Sequence, residues 1–520
     1  MKTTRPPSAL LFAAVAAVAG CTTPQFAPGP QVPRNATLKT CGGPLVQAHR
    51  GSMGEYQDNG AGGYAWCLSK GIRGFETDVR FSRDHELVVM HDSRVERTTD
   101  GKGAVEEMTL AELRECRLRN CSEPVPTLGE VVAPLKGRDD VFIELEMKAY
   151  PGAFYTPAVL EEYCRKLNAA AEDALRPGTY AFTCFNVTTL ETMRRVAPKA
   201  PLGYITGGAL TEAHIATAKR LGCGSVAPAL RDTSKKMVAK AHEAGLAVCL
   251  WMVQSATDWW EARDKGADRV TSDYPHLLDL ALRRKRKRVV AMDLDATLSQ
   301  HKTQVPWRNL KALEELCRKY SCVMVGGGNA PQIYSQMCEF PIDIVGNYGM
   351  QVATATNGQL KVLACSSNAV DRAFFRRETD RLREKYGYAK YRGEPLEFHP
   401  SGMVTFALLG VDAQKDAKLA FDPDKKKRRA MYRDVCEAFP GHTVLIAGST
   451  SFDILGRENN KYDAAVRWAA ERGFAPSDIV FIGDDFADGG GDSHVRLGGL
   501  DRIVINDYRK FADAVGVLLK

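Results

Sequence analysis

The chain has 520 residues, more than a single hydrophobic core usually supports, so its length predicts two domains. Hydrophobic residues make up 44% of it and charged residues 26%, as is typical of globular proteins. The net charge is +7, and two basic runs carry much of it, RRKRKR at 283–288 and KKKRR at 425–429. Neither run has interleaved aromatic residues, so we interpret both as solvated linker or loop and expect no nucleic-acid partner.

Residues 1–20 are predicted to be a signal peptide. Lys2 and Arg5 supply its charged region, and residues 9–19 form an apolar stretch too short to span a bilayer. The stretch ends in VAGC, which resembles the lipobox of bacterial lipoproteins. That resemblance implies cleavage before Cys21, lipidation of Cys21 and membrane anchoring through the acyl chains. Thr22 implies the outer membrane, and a plain secretory signal is the alternative.

Residues 21–40 form a Pro-rich tether with too little apolar content to pack. No later stretch approaches about twenty continuous apolar residues, so we expect no transmembrane helix. The chain has 14 cysteines, and export is compatible with disulfides. The sequence leaves both their connectivity and the oligomeric state open. Plausible pairs are Cys41 with Cys67, Cys116 with Cys121, and Cys317 with Cys322.

Residues 41–282 are predicted to form the first domain. Apolar runs with strand character alternate there with helical patterns, and eight such units match a TIM (β/α)8 barrel. This fold places catalytic groups at the carboxyl ends of its strands. The eight runs are LVQAH, GFETDV, DVFIELEM, TYAFTCF, LGYIT, GSVAP, AVCLWMV and DRVTSD.

Ionisable groups cluster on three apolar runs of this domain. Glu76 and Asp78 are two residues apart, so on a strand they share one face, about 6.6 Å apart along it. Carboxylates on an inward face are costly without a cation or a base as partner. Two imidazoles, a guanidinium and paired carboxylates are what acid–base phosphate chemistry around a divalent cation requires. The groups are His49, Arg50, Glu76, Asp78, His91 and Asp92.

These groups belong to an ordered series of motifs that resembles the glycerophosphodiester phosphodiesterase family over the whole first domain. One departure is Gln254, where the family usually has Asn. The series is HRG at 49–51, ETD at 76–78, HD at 91–92, RTTDGKGAVEEMTLAELR at 97–114, PTLGEVV at 126–132, ELEMK at 144–148, TCFN at 183–186, LWMVQ at 250–254 and TSDYP at 271–275.

The resemblance implies a metal site and an acid–base pair. Calcium or magnesium would be bound by Glu76, Asp78 and Glu146, since both cations prefer oxygen ligands. His49 and His91 would be the acid and the base. The nucleophile, either water or the substrate's own glycerol hydroxyl, stays open.

The resemblance also implies substrate contacts. Arg50 and Lys148 would neutralise phosphate oxygens as charge develops. Phe185 and Trp251 would line the substrate cleft, although a plain core role for Trp251 is nearly as good an interpretation. Glu144 shares the face of Glu146, and the sequence leaves open whether it is a further ligand or a packed barrel residue.

After the linker at 283–288, residues 289–520 are predicted to form a second domain. It opens with VVAMDLDATL, a buried-looking strand that ends in Asp293 and is followed by Asp295. An aspartate at the tip of a parallel strand can attack phosphorus, and the second can protonate the leaving oxygen and then activate water. CVMVGGGN later ends in a Gly-rich turn suited to phosphate, and VFIGDD leads into GGGD at 489–492.

In this order the motifs resemble the haloacid dehalogenase (HAD) superfamily of phosphotransferases, and within it the eukaryotic-type phosphomannomutases. The implied fold class is α/β throughout: the TIM barrel is followed by a doubly wound, Rossmannoid HAD-type core with an α/β cap at about residues 368–455. The motifs with counterparts are VGGGN, NYGMQV, YRGEPLEFHPSGMV, AGSTSFDIL and GDDFADGGGD.

This second resemblance implies a magnesium-dependent centre. Asp293 would be the nucleophile, Asp295 the acid and base, and Lys461 the charge partner. Magnesium would lie on Asp293, the carbonyl of Asp295 and Asp484, with Asp492 close by. Clustered carboxylates repel one another without a cation, so magnesium is expected here.

Gly326, Gly327, Asn329 and Arg392 are the implied phosphate and substrate contacts. Mutases clamp the non-reacting phosphate of a sugar bisphosphate with several cap arginines. Here Arg392 is retained, but the His399-Pro400 region occupies the next arginine position, and the arginine after Leu409-Gly410 is absent. A phosphatase is therefore predicted rather than a mutase.

Together these features predict a membrane-tethered bifunctional hydrolase that acts on small molecules. The barrel would cleave glycerophosphodiesters to glycerol 3-phosphate or a headgroup phosphate, and the second domain would dephosphorylate a small phosphomonoester, including the barrel's product. The alternatives are a second domain with mutase activity, a second domain that only binds phosphosugars, and a barrel with phospholipase-D-like action on intact lipids.

Overall fold

A computed structural model describes residues 26, 29–30, 32, 38–356, 358–367 and 369–520. The predicted signal peptide, the lipidation site Cys21 and most of the tether lie outside the described residues.

The first half of the chain contains a nine-stranded sheet, of which eight strands are parallel. Its strands are β1 (Leu45–Ala48), β2 (Gly74–Phe81), β3 (Leu87–Val89), β4 (Phe142–Met147), β5 (Tyr180–Cys184), β6 (Leu202–Ile205), β7 (Ser225–Ala227), β8 (Ala247–Leu250) and β9 (Arg269–Ser272). β1 pairs with both β2 and β9 and so closes a barrel, while β3 pairs antiparallel with β2. The eight parallel strands coincide with the eight apolar runs, so the prediction of a TIM barrel is confirmed.

Helices cover the outside of the barrel and pack on one continuous apolar core. The side chains of Thr156, Asn186, Thr211 and Ser234 each accept a hydrogen bond from the first turn of the helix that follows, which stabilises a helix start by about 1 kcal/mol. The helices are α1 (Ala61–Ser69), α2 (Leu110–Glu115), α3 (Leu128–Val132), α4 (Pro157–Ala174), α5 (Val187–Val196), α6 (Glu212–Arg220), α7 (Lys235–Glu243), α8 (Ala256–Lys265) and α9 (Pro275–Leu282).

Between β3 and α3 the chain leaves the barrel in a segment that we call the excursion (residues 90–127). It contains α2 and has a small apolar core of its own. Residues of this core include Met90, Val95, Val105, Leu113 and Val125, all of which are buried.

The second half contains a seven-stranded sheet and a separate four-stranded one. The strands are β10 (Val289–Met292), β11 (Ser321–Val325), β12 (Asp343–Gly346), β13 (Gln351–Thr356), β14 (Gln359–Cys365), β15 (Leu396–Phe398), β16 (Val404–Ala407), β17 (His442–Ala447), β18 (Ser451–Gly456), β19 (Ile479–Gly483) and β20 (Asp501–Val504). The larger sheet has the order β14-β13-β12-β11-β10-β19-β20, in which the last five are parallel and the first two antiparallel.

Apolar clusters cover both faces of the parallel strands, so this sheet is doubly wound. The helices of the second half are α10 (Trp307–Lys319), α11 (Ala330–Gln336), α12 (Arg372–Tyr386), α13 (Lys415–Phe421), α14 (Lys426–Ala438), α15 (Lys461–Ala470), α16 (Ser493–Leu497), α17 (Phe511–Ala514) and α18 (Gly516–Leu519). α10 and α11 pack on one face and α15 on the other.

The smaller sheet, with the order β15-β16-β18-β17, belongs to an insertion between β14 and α15. α12 and α14 pack on it around a core of Phe375, Phe406, Phe439 and Phe452. A sheet has an apolar face that must be covered, and here a layer of helices covers it. The insertion therefore folds around its own core, beside the doubly wound sheet.

The two halves are joined by a buried charge cluster. Asp501 on β20 lies 2.7 Å from Lys70 Nζ of the barrel, 3.2 Å from His276 Nε2 and 2.6 Å from Lys287 Nζ. Lys287 belongs to the basic linker, yet its side chain is only 7% exposed. In the second basic run, Arg428 is buried and bonded to Asp422. The interpretation of both runs as solvated is therefore wrong at these two residues, because each has a buried carboxylate as partner.

The thirteen cysteines in the described part of the chain are free thiols, so the three proposed disulfide pairs are not formed in this structure. Cys67 is buried in the barrel core whereas Cys41 is exposed. Within the described ranges, no helix combines the length and the apolar character needed to cross a membrane.

Candidate active sites

His49 and Arg50 lie in a tight turn at the carboxyl end of β1. Arg50 and Gly51 have φ angles of 51° and 69°, in the left-handed region. A Cβ on Gly51 would lie 2.7 Å from the ring of Tyr64, so glycine is required there. The turn directs the backbone N–H of Arg50 at Glu76, whose Oε2 accepts a hydrogen bond of 3.0 Å. Two of the predicted residues are thereby fixed against β2.

Glu76, Asp78 and Glu146 form a buried carboxylate cluster at the mouth of the barrel. Oxygen atoms of the three side chains lie within 4.8 Å of one another, because β2 and β4 are paired with Asp78 opposite Glu146. Among the described residues, Glu76 Oε1 is buried and has no hydrogen-bond partner. An orphaned carboxylate oxygen in a three-carboxylate cluster fits an oxygen-seeking divalent cation, so these residues could bind a metal ion.

Burial and neighbouring charges separate the pKa values of this cluster. Burial raises the pKa of Glu146 to about 7, against the opposing charge of Lys148. Burial and the charges of Asp78 and Glu146 also raise the pKa of Glu76 well above its ordinary value. Burial alone would raise the pKa of Asp78, but Lys148 and Arg50 lower it below its ordinary value. Asp78 is thus the carboxylate that stays ionised.

Lys148 and Arg50 bring two positive charges to the cluster. Lys148 Nζ lies 2.5 Å from Glu146 Oε1 and 3.2 Å from Asp78 Oδ1. Arg50 Nε lies 3.3 Å from Asp78 Oδ2, and Arg50 Nη1 donates to Asp58. Both positively charged side chains are therefore placed to contact an anion that binds next to the carboxylate cluster.

Each of the two predicted imidazoles has a carboxylate partner. His49 Nδ1 lies 2.6 Å from Asp273 Oδ1, and its Nε2 lies 3.9 Å from Glu76 Oε2. His91 Nδ1 lies 2.7 Å from Asp92 Oδ1. An Nδ1–H that donates to a carboxylate fixes the tautomer and leaves Nε2 free to accept a proton.

Several positioning residues of the barrel site were not predicted. Asp273 follows β9, and its Oδ2 accepts a 2.5 Å hydrogen bond from Gln254 Nε2. Asn59 Nδ2 donates to Asp78 Oδ2. Arg97 donates to both Asp92 and Asp58 and so links the partner of His91 to the partner of Arg50. Asp92 was among the predicted groups, and Asp273 and Arg97 lie within the motifs given above, but the sequence did not show which residue each of them pairs with.

Phe185 and Trp251 lie together at the barrel mouth, with ring centroids 6.3 Å apart. Phe185 is 39% exposed, and Lys148 Nζ lies 5.8 Å from the centre of its ring. This placement fits a wall of a cleft. Glu144, on the same face of β4 as Glu146, instead pairs with buried Arg269, Oε1 to Nη2 at 3.0 Å, so it is a packed barrel residue.

A second carboxylate cluster lies at the carboxyl edge of the doubly wound sheet. Oxygen atoms of Asp293, Asp484 and Asp492 lie within 4.8 Å of one another; Asp293 and Asp484 directly follow β10 and β19, and Asp492 precedes α16. Lys461 Nζ lies 2.8 Å from both Asp293 Oδ1 and Asp492 Oδ1. Asp492 Oδ2 accepts hydrogen bonds from the backbone N–H groups of Asp484 and Asp485, which holds the loop in place.

The electrostatics of the second cluster resemble those of the first. Burial raises the pKa of Asp293 to about 6, although Lys461 opposes this shift. Burial and the charges of Asp492 and Asp293 raise the pKa of Asp484 well above its ordinary value. Carboxylates that resist ionisation until a cation arrives are a suitable donor set for magnesium.

Asp295 does not join this cluster through its carboxylate. Its Oδ1 accepts hydrogen bonds from Lys302 N and Gln336 Nε2, and its Oδ2 lies 3.3 Å from His301 Nδ1. The side chain nevertheless lines the same cavity of about 790 Å³ as Asp293.

The other predicted contacts of the second domain separate into two groups. Gly326 and Gly327 line the cavity, and a Cβ on Gly327 would lie 2.6 Å from Tyr348 Oη, so a larger residue would not fit there without a shift of Tyr348. Asn329, by contrast, caps α11 by accepting from Gln332 N, and Arg392 is exposed and does not line the cavity. The substrate contacts of Asn329 and Arg392 therefore stay predictions.

Comparison with known proteins identifies the family to which the barrel is similar. Residues 49–277 match the model of the glycerophosphoryl diester phosphodiesterase family. The Mycobacterium tuberculosis protein named "Probable glycerophosphodiester phosphodiesterase 1" is 30% identical over 259 residues, which cover 45% of this chain and 90% of that one. The chain belongs to the glycerophosphoryl diester phosphodiesterase family. A glycerophosphodiester phosphodiesterase of Caldanaerobacter subterraneus is 29% identical over 245 residues, 45% of this chain and 96% of its own.

Two solved structures are also similar to this chain. A phosphodiesterase of Oleispira antarctica, solved in complex with the product sn-glycerol-3-phosphate, is 25% identical with a TM-score of 0.42 and covers 46% of this chain and 97% of its own. A glycerophosphodiester phosphodiesterase of Parabacteroides distasonis is 23% identical with a TM-score of 0.40, over 47% and 98% of the two chains.

Proposed function

We propose that the barrel hydrolyses glycerophosphodiesters to a phosphomonoester, such as glycerol 3-phosphate, and an alcohol. The observation that carries the proposal is the buried cluster of Glu76, Asp78 and Glu146 with the Nε2 atom of His49 beside it. Relatives named for this activity align with the whole barrel, which supports the same assignment.

Residues of this chain supply the remaining parts of the reaction. A divalent cation, magnesium or calcium, held by the three carboxylates would polarise the phosphoryl oxygens. Arg50 and Lys148 bind those oxygens and balance the charge that develops on them. Of His49 and His91, one takes the proton of the nucleophile and the other protonates the leaving alcohol. Phe185 and Trp251 flank the substrate.

Alcohol release from a water-soluble glycerophosphodiester tests this assignment. The metal-stripped protein is expected to be inactive and to regain activity with added magnesium or calcium. Glu76→Gln is expected to raise the cation concentration needed by about 10- to 100-fold, because it removes a charged ligand. Full activity in the presence of a chelator would refute the proposal.

We also propose that the second domain is a HAD-type phosphomonoester hydrolase with Asp293 as nucleophile. The support is the placement of Asp293, Asp484 and Asp492 around Lys461, in the 790 Å³ cavity between the sheet and the insertion. The exposed position of Arg392 favours a phosphatase over a mutase, because the arginine of the insertion that does line the cavity, Arg428, is already bonded to Asp422. Magnesium would be the metal, with Asp295 in the proton-transfer role.

The two activities together would release inorganic phosphate from a glycerophosphodiester. Phosphate release from the diester should fall to background with Asp293→Asn, while alcohol release stays unchanged. Trapping of an aspartyl-fluoride complex with beryllium and magnesium separates a catalytic second domain from one that only binds phosphosugars. Isomerisation of a hexose 1-phosphate in the presence of a sugar bisphosphate would instead support the mutase alternative.

Anchoring at a membrane through lipidated Cys21 is part of the same proposal, with the periplasmic side of an outer membrane as the location. The support is the VAGC sequence at 18–21 and the Pro-rich tether behind it. Replacement of Cys21 by Ala should release the protein from the membrane fraction. Comparison of soluble diesters with lipid vesicles would reveal phospholipase-D-like action.

A further inference from the structure

The excursion connects the two candidate sites. Near its start, Arg97 binds Asp92 and Asp58 beside the barrel centre. Near its end, Ser122 Oγ accepts a 2.8 Å hydrogen bond from the backbone N–H of Asp488, in the loop that follows β19 and carries the second carboxylate cluster. One segment of the barrel therefore borders both centres.

A cavity lies near each centre, and residues of the excursion line the first of the two. The first cavity has a volume of about 400 Å³ and lies between the barrel and the strand end after β20. The residues that line it include Asp58, Arg97, Arg119, Asp273 and Lys510. The second is the 790 Å³ cavity that contains Asp293. The first cavity thus reaches the partners of Arg50 and His49, and the second reaches the proposed phosphatase nucleophile.

Two arginines lie beside these cavities, one from each half of the chain. Arg119 of the excursion lines the first cavity. Arg429 of α14 follows Arg428, which lines the second cavity, and its guanidinium pairs with Asp100 of the excursion. The backbone N–H of Asp100 donates to the carbonyl of Arg117, and that of Arg119 donates to the carbonyl of Thr98. The two arginines therefore border the same part of the excursion.

The hydrogen-bonding capacity of this pair is largely unused. Arg429 Nε and Nη1 are buried and have no hydrogen-bond partner among the residues that the structure describes. The ion pair of Arg429 with Asp100 is long, 3.8 Å from Nη1 to Oδ2. Arg119 donates one hydrogen bond from Nη2, to the carbonyl of Glu96. Buried guanidinium donors without acceptors are costly, and an anion with several oxygens satisfies them best.

We propose that Arg119 and Arg429 form a phosphomonoester-binding station between the two centres, where the product of the barrel is held on its way to the second domain. The proposal rests on the two hydrolytic steps argued above and adds the route between them. A phosphomonoester dianion presents three oxygens, enough to accept from both guanidinium groups at once. Neutral alcohol products have no such charge and would leave without being held.

A binding experiment tests the station without relying on the phosphatase. Full-length protein that carries Asp293→Asn is stripped of metal, and glycerol 3-phosphate is added while amide hydrogen exchange is followed. Exchange should slow in residues 96–123 and 422–433. The double variant Arg119→Gln/Arg429→Gln should lose this protection, and Arg429→Lys, which keeps the charge, should retain part of it. No protection in the parent, or equal protection in the double variant, would overturn the station.

The matched control for this variant is Arg433→Gln. Arg433 lies one turn further along α14, its side chain is 90% exposed, and it binds only the carboxylate of Glu437 among the described residues. This control should keep the protection of both segments. Its melting temperature and that of the double variant should match the parent, which separates loss of the site from loss of the fold.

A transfer experiment tests the route in the metal-loaded wild-type protein. Labelled glycerophosphocholine is supplied together with excess unlabelled glycerol 3-phosphate, and label in early inorganic phosphate is measured. In the wild type, the labelled fraction of the released phosphate should exceed the labelled fraction of the total glycerol 3-phosphate several-fold. In the double variant the two fractions should be equal. Alcohol release and phosphate release from saturating glycerol 3-phosphate should each change less than about two-fold.

The outcomes distinguish the station from the proposed activities. An equal labelled fraction of the released phosphate in wild type and double variant would overturn the transfer role. Absence of phosphate release from free glycerol 3-phosphate in the wild type would refute the proposed phosphatase, and the exchange experiment alone would then decide whether Arg119 and Arg429 bind a phosphomonoester.

Discussion

Asp273 holds His49 across the closure of the barrel, with 2.6 Å between Oδ1 and Nδ1. The two residues are 224 positions apart in the chain, and they meet because β9 pairs with β1. Burial opposes ionisation of Asp273, but His49 and Gln254 lower its pKa below the ordinary value. The carboxylate is therefore charged at neutral pH and fixes the tautomer of the imidazole.

Asp273→Asn should lower kcat for diester hydrolysis by about 10²–10⁴-fold, because the amide no longer stabilises the charged imidazole that forms during proton transfer. The change in KM should be small, since Asp273 binds no phosphate in the proposed mechanism. Asp268→Asn is the control: Asp268 lies next to β9 and pairs with His242, away from the site. A kcat that falls equally in both variants would contradict a specific role for Asp273.

Cation binding to the metal-free barrel should release protons in a pH-dependent way. The pKa of Glu146 is raised to about 7 by burial, so this group is half protonated at neutral pH, and a bound cation favours its ionised form. Release from Glu146 should be largest below pH 7 and should decline as the pH rises through about 7. Calorimetry in two buffers of different ionisation enthalpy measures it.

Glu144→Gln is the matched control for this titration, since Glu144 lies on the same strand but pairs with Arg269. It should leave proton release unchanged, whereas Glu146→Gln should reduce both the affinity and the release. Cation binding without proton uptake or release at pH 6 would show that Glu146 is already ionised.

Local periodicity predicted the barrel strands and the shared face of Glu76 and Asp78, whereas the family resemblance supplied Glu146 as the third carboxylate. A strand period of two places Glu76 and Asp78 on one face, and parallel neighbours bring Glu146 beside them. The partner of each imidazole depends instead on strand closure and on the conformation of the excursion. No local pattern contains the distance between His49 and Asp273.

Asn329 and Lys287 differ in how much of their placement the sequence contained. Asn329 is followed by Ala-Pro, and an Asn just before a Pro-containing first turn is a helix-start pattern, which the capping geometry bears out. The burial of Lys287, by contrast, could not have been read from RRKRKR, because its partner Asp501 is supplied by a strand more than two hundred residues later. Long-range charge pairing is set by domain packing.

Lys461 should matter more for the stability of the metal-free protein than for that of the magnesium-bound one. Its ammonium lies between Asp293 and Asp492, and burial in the cluster leaves both carboxylates dependent on it. Lys461→Met should therefore lower the free energy of unfolding by about 3–5 kcal/mol without metal. Magnesium should restore part of the loss, because it neutralises the same carboxylates.

Urea unfolding with and without magnesium measures this difference. Lys385→Met is the control, since Lys385 is 55% exposed and its pairing with Asp434 should contribute less than about 1 kcal/mol. Equal destabilisation of Lys461→Met in both conditions would show that magnesium does not bind at these carboxylates.

Asp501 should hold the two halves of the chain together above about pH 4 and lose that role in acid. Burial would raise its pKa, but His276 and Lys287 hold it well below the ordinary value. Because an unfolded aspartate titrates near pH 3.9, the stabilisation is complete above about that pH and declines as the pH falls toward the folded pKa. Asp501→Asn should cost about 3–5 kcal/mol at pH 7, since it leaves buried Lys287 without its carboxylate.

The pH dependence of the first urea transition is the informative measurement. The wild type should lose stability below about pH 4, and Asp501→Asn should lose less there because it has no such group to protonate. Asp513→Asn, whose partner Arg308 is exposed, should behave as the wild type. If the wild type and Asp501→Asn showed parallel curves, the cluster would not be what joins the barrel to the second domain.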